Sequence, residues 1–248
     1  MSGHSKWAQI KRQKGVADAR RGQLFTKLGR EIAVAARQGA DIETNARLRL
    51  AVQRARDANM PMDTIDRAIK RAAGAGDAAN FQEITYEGYG PSGVAILVDA
   101  LTDNRNRAAA EVRSVFSRNG GNLGESGSVR WLFEPKGVVT VELQNRDADE
   151  VSLVAIDVGA EDVQPADSVL EVYTDPADLE SVRQALEQEG LEVASSEQIM
   201  QPTTTVSLDG HAAEQAMRLI ERLEELDDVQ AVYSSSEISD EVAAALAG

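Results

Sequence analysis

Two periodicities divide the chain. Up to about residue 74, apolar side chains return every three or four positions; beyond residue 80 they come in short alternating runs interspersed with helical stretches. In "GQLFTKLGREIAVAARQG", Leu24, Leu28, Ile32 and Ala36 recur with Phe25 and Ala33 beside them, which predicts a helix with one apolar stripe ending at Gly39. "TNARLRLAVQRARDA" predicts another, with Leu48, Val52 and Ala55 inward and Arg49 and Arg56 on other faces. "MPMDTIDRAIKRAAG" predicts a third, Pro61 suiting the first helical position and Gly74 closing it. With a helix expected in the basic stretch before them, residues 1–74 read as a bundle of three or four helices, and "GAGDAAN" as a linker.

Past the linker, "FQEITYEGY" and "GVAILVDAL" read as paired strands, followed by the helix "RNRAAAEVRSVFSRNGG" with a left-handed cap at Asn119-Gly120-Gly121. Strands are then expected at "VRWLFE" and "GVVTVEL", a helix near 147–158, a short strand near Glu161 to Gln164, and a strand at "DSVLEVYT". A helix opens at "DPADLE", with Asp175 capping and Pro176 in its first turn, before a strand at "LEVASSEQI". This stretch approximates β-α-β-β-α-β, a ferredoxin-like unit. Incomplete sets flank it: strand, strand, helix before; "TTTVSL", a helix through Ala216, Met217, Ile220 and Leu223, and "VQAVYS" after. The expected fold is therefore α+β and multidomain. It comprises a helical domain (1–76), a discontinuous α/β domain (80–128 plus 201–240) and an inserted ferredoxin-like domain (129–200), with a frayed tail from Ser234.

Charge sharpens this division. Residues 1–76 hold 16 Lys/Arg and 7 Asp/Glu, a net of +9, so the remainder, with 10 against 34, carries −24, which gives the chain its total of −15. A basic head on an acidic body points to a polyanion partner, and screening over about 8 Å at physiological salt lets local charge prevail over the total. The absence of cysteine excludes disulfides and thiolate chemistry and fits a reducing compartment. The longest clean apolar run, Val94 to Val98, is far shorter than the roughly 20 residues of a membrane span, so no membrane partner is expected.

Few motifs carry chemistry. "GYGPSG" matches the dinucleotide fingerprint letter for letter, but Gly93 leads into a strand, where the fingerprint requires a helix; a hairpin turn is expected. In "LTDNRNR", Asp103 or Asn104 can cap the following helix, while Arg105 and Arg107 offer a ligand or a neighbouring domain two positive charges. His4 and His211 are the only histidines and fall in different predicted domains, so neither a metal site, a cofactor nor an enzyme is expected. The strongest cluster is Lys6, Lys11, Arg12, Lys14, Arg20, Arg21, Lys27 and Arg30, against Asp18 alone. Such a cluster suits phosphate binding by counterion release, with Trp7 either stacking on a base or anchoring the first helix.

The runs "SGHSKWAQIKRQK", "LFTKLGREI", "ARLRLAVQRARDANMP", "IDRAIKR" and the long stretch from "YEGYGPSGVAILVDALTDNRNR" to "VRWLFEPKGV" resemble the YebC/PmpR family, which includes the mitochondrial translational activator of cytochrome oxidase. The resemblance implies three domains, the third inserted in the second. It also implies a cytoplasmic DNA-binding transcriptional regulator or, as in other members, a ribosome-associated translation factor binding ribosomal RNA. Ala46 stands where the family often has proline, and Met62 where it often has lysine, beside the "ANMP" turn whose Asn59 and Met60 are secondary candidates for contact. The motif begins within two residues of Met1, so no presequence is expected. A reading of another class makes the acidic insert a dock for basic proteins.

Overall fold

The computed structural model describes residues 18–73, 81–166, 168–239 and 242, with side chains of the first helix from Arg21 onward. The helix expected in the opening basic stretch lies outside these residues. Helix α1 (Asp18–Ala36), α2 (Ala46–Asp57) and α3 (Met62–Ala73) pack around Leu28, Ile32, Leu48, Val52, Met60 and Ile65. Leu24 departs from the predicted stripe and is exposed. Asn45 joins the first two helices: its Oδ1 accepts from the Leu48 amide at 3.0 Å, while its Nδ2 donates to the Ala35 and Gly39 carbonyls at 2.8 and 2.7 Å. Ala46 is thus the first helical residue after the cap, a position where proline is pre-organised and alanine is also unstrained.

The turn between α2 and α3 places Asn59 at φ 58°, with its amide donating to Arg56 and that of Met60 to Ala55. Asparagine tolerates the left-handed region better than other side-chain-bearing residues, because its short amide bonds locally. Asn59→Ala is expected to lower stability by about 1 kcal/mol and Asn59→Gly to leave it unchanged or raised, as read by urea denaturation.

Residues 134–201 form a compact unit of their own. Outside that segment, a four-stranded sheet runs in the order β3 (Asn122–Leu123), β1 (Gln82–Tyr89), β2 (Ala95–Thr102), β9 (Val229–Ser234). β1 and β2 are antiparallel from Gln82 opposite Thr102 to Tyr89 opposite Ala95, joined by a turn in which Ser92 and Gly93 have φ of 60° and 79°. "GYGPSG" is that turn. Ile96, Val98, Val229 and Val232 pack beneath helices α4 (Arg105–Arg118) and α7 (Gly210–Glu224), against Val112, Phe116, Ala216, Leu219, Ile220 and Leu223. Asn104, not Asp103, caps α4, accepting from the Arg107 amide at 3.1 Å.

As far as Ile238, the tail expected to fray from Ser234 is built in. β10 (Ser236–Ile238) lies parallel to β8 (Val206–Leu208), and the buried Ser234 and Ser236 hydroxyls bond to each other at 2.8 Å. "TTTVSL" consequently pairs with this segment in a separate two-stranded sheet.

In residues 134–201, α5 (Ala148–Asp157) and α6 (Leu179–Gln188) accompany a sheet ordered β5 (Asp162–Ala166), β6 (Val169–Thr174), β4 (Phe133–Glu142), β7 (Glu192–Pro202). "VRWLFE" does not form its own strand: Arg130–Leu132 make a short 3₁₀ turn and β4 runs unbroken from Phe133. Helix α6 begins three residues after Pro176, because Asp175 Oδ1 accepts from the Ala177 amide at 2.8 Å and holds the chain in a turn. The carbonyl of Leu132 accepts from both the amide and the hydroxyl of Thr203, at 2.8 and 3.1 Å, where the chain leaves for this segment and returns.

Candidate nucleic-acid interface

Of the nine primary binding candidates, Lys6, Trp7, Lys11, Arg12 and Lys14 lie outside the described residues, and for Arg20 only the backbone is described. Arg21 lies over the Phe25 ring at 5.6 Å. Lys27 and Arg30, expected on a phosphate-facing surface, both also reach the chain at and just beyond the C-terminal end of α7. Lys27 Nζ donates to the Glu224 carbonyl at 2.6 Å, and Arg30 Nη1 to the Asp227 carbonyl at 2.8 Å; Gln23 Nε2 reaches the Glu225 carbonyl at 2.6 Å. The last carbonyls of a helix lack intrahelical donors and carry its negative partial charge, so cations from α1 are well placed there.

The same interface contains the buried carboxylate of Asp228. It accepts from Arg30 Nη1 at 3.2 Å, from Arg107 Nη2 at 2.7 Å and from the Thr102 hydroxyl at 2.8 Å. Bonds to Asp228 and Asp103 hold the Arg107 guanidinium above its usual range, so Arg107 serves the joint between head and body rather than an open ligand site. Arg105 is exposed, and its carbonyl accepts from the Tyr86 hydroxyl at 3.4 Å. Asn59 is exposed at the turn, whereas Met60 is buried in the head's core, where its end approaches Gly29.

What the head presents is a groove of about 490 Å³ between α1 and α3. Gly29, Ala33, Met60 and Ala68 line it, with the rings of Phe25 and Phe81 and the hydroxyls of Thr26 and Thr64. Three arginines, Arg30, Arg67 and Arg71, complete its lining. Arg30 also sits over Phe81 at 5.5 Å, while Arg67 donates to the Asp63 carbonyl at 3.0 Å and to the Thr64 hydroxyl at 3.1 Å. Arg67 and Arg71, four apart on α3, were absent from the sequence-derived candidates, although that spacing puts both on one helix face. An apolar floor with convergent cations can take a planar ring and an attached anion.

Among the described residues, no group of three or more His, Asp or Glu is placed to hold a metal ion, and no helix is long and apolar enough to cross a membrane.

A basic helical head joined to an α+β body defines a class of multidomain proteins to which the comparisons give a family. Residues 5–75 match the TACO1/YebC N-terminal domain and residues 81–236 the TACO1/YebC second and third domain. The chain belongs to this family, the YebC/PmpR family. It is 58% identical over 249 residues to a "Probable transcriptional regulatory protein" of Roseiflexus castenholzii, covering 98% of each chain, and 56% identical over 242 residues to one of the same name from Moorella thermoacetica, covering 96% of each. Among solved structures it resembles the conserved hypothetical protein Aq1575 from Aquifex aeolicus, with TM-score 0.83 and 48% identity over 90% of this chain and 93% of that one.

Proposed function

We propose that this chain is a non-enzymatic, cytoplasmic regulator of gene expression that binds nucleic acid through its helical head, its acidic segment forming a ferredoxin-like insertion. The strand order β5-β6-β4-β7 with two helices supports that reading of the insertion. The observation that carries the binding proposal is the groove lined by Arg30, Arg67 and Arg71 on the positively charged part of the chain. The names borne by the relatives favour transcription and a DNA target. A second reading, an RNA target on the ribosome or elsewhere, is favoured by the groove itself: a groove with aromatic rings in its lining accepts an unstacked nucleotide more readily than a closed duplex.

Fluorescence anisotropy against salt tests the binding. Neutralising about five phosphates gives a slope of log affinity on log salt near −4, and removing two contacts with Arg67→Ala/Arg71→Ala flattens it by about 1.5. A slope near zero, or one unmoved by the double substitution, overturns the head groove as the polyanion site. Comparing a duplex with a single strand of the same sequence separates the two readings of the target.

A further inference from the structure

The aromatic side chain most open to solvent among the described residues is outside the head. Trp131, in the 3₁₀ turn after Val129, is 72% exposed. A single exposed apolar residue needs no explanation, but this one is constructed. Its indole nitrogen donates to the Ser128 carbonyl at 3.1 Å, and the Tyr89 hydroxyl donates to the same oxygen at 3.0 Å. Two aromatic rings of one surface are thus tied by their polar ends to one point, leaving their apolar surfaces to water; Tyr89 is 38% exposed.

The loop beneath them is fixed from within. The buried Glu87 carboxylate accepts from the amides of Gly127, Val129 and Arg130 at 2.6, 2.8 and 2.8 Å, and the Gly124 amide donates to the Glu87 carbonyl at 2.8 Å. The exposed Arg130 side chain lies next along the chain, its Nη1 bonded at 3.4 Å to the Phe133 carbonyl. Rings pre-positioned on a loop fixed in this way lose little freedom on receiving a ligand.

We infer that Trp131 and Tyr89 form a stacking platform for an unpaired base of a single-stranded nucleic acid, with Arg130 meeting the adjoining phosphate. The platform rests on the nucleic-acid reading above and adds a second contact point on the body. Exposed rings with an exposed arginine at the neighbouring chain position match a base with its backbone, because every base offers a π-face and carries a phosphate.

The test uses the full chain and a 12-nucleotide oligouridine carrying one 5-iodouracil. Photocrosslinking is expected to mark the peptide containing Trp131 or Tyr89. Trp131→Ala is expected to weaken single-strand affinity about tenfold, Trp131→Phe to restore most of it, and neither to alter binding of a duplex of matched length. Wild-type affinity in Trp131→Ala, with crosslinks confined to the head, overturns the platform while leaving the head's role intact, and assigns the exposed surface to a protein partner. Failure of the unaltered chain to bind oligonucleotide at all removes both proposals.

Discussion

Glu87→Ala is expected to lower the unfolding free energy by about 3 kcal/mol, because it removes the acceptor of the buried Val129 amide and of the partly buried Gly127 and Arg130 amides at once, water taking over part of the loss at the latter two. Glu87 is 5% exposed and is the only side chain bonded to the amides of Gly127, Val129 and Arg130 among the interactions described above. Burial by itself raises the pKa of its carboxyl, but the three amide bonds and the nearby Arg130 charge outweigh burial and pull it below the ordinary glutamate value. The sign of the linkage follows. A lowered folded-state pKa adds stability that is fully present above the unfolded value of about 4.3 and is lost as pH falls through the lower folded value. Urea midpoints of the wild type should therefore decline in that acid window, and those of Glu87→Gln should decline less. Equal acid sensitivity in the two proteins would show that Glu87 is not the responsible group.

Asp228→Ala is the second large effect, expected at about 2–3 kcal/mol, chiefly from the buried Thr102 hydroxyl losing its charged acceptor. The ion pairs contribute less than their short distances imply, since the side chains of Arg30 and Arg107 keep 25% and 45% of their exposure. Asp228→Asn should recover part of the loss by keeping an oxygen for Thr102. Because Asp228 joins Arg30 of α1 to Arg107 of α4, the substitution should also accelerate amide hydrogen exchange around Asp227 more than in the β1–β2 hairpin. Uniform acceleration across the chain would show that the carboxylate supports the body in general and not the joint in particular.

The periodicity of apolar residues located nearly every helix and strand, because burial of one face is what selects those elements. Where prediction failed, a specific polar bond had taken over. Arg130 could not enter a strand at "VRWLFE" while its amide served Glu87, 43 residues away, and the serines near 234 looked like loop although their hydroxyls satisfy each other inside. The candidate site was less readable for the same reason. Counting cations identifies the head as basic, but the direction of Lys27 and Arg30 depends on carbonyls 197 residues further on. Arg67 and Arg71 were visible as a helical pair; only the position of α1 and Phe81 makes them the wall of a groove.

The pair of hydrogen bonds that Thr203 donates to the Leu132 carbonyl bears on how such a chain can be rebuilt. Since these bonds pin residues 132 and 203 together, a chain in which 134–201 are replaced by a few glycines is expected to keep the fold of the remainder, as read by circular dichroism and urea denaturation. The product would be a minimal protein with most of its surplus negative charge removed, ready for grafting other modules at the same seam.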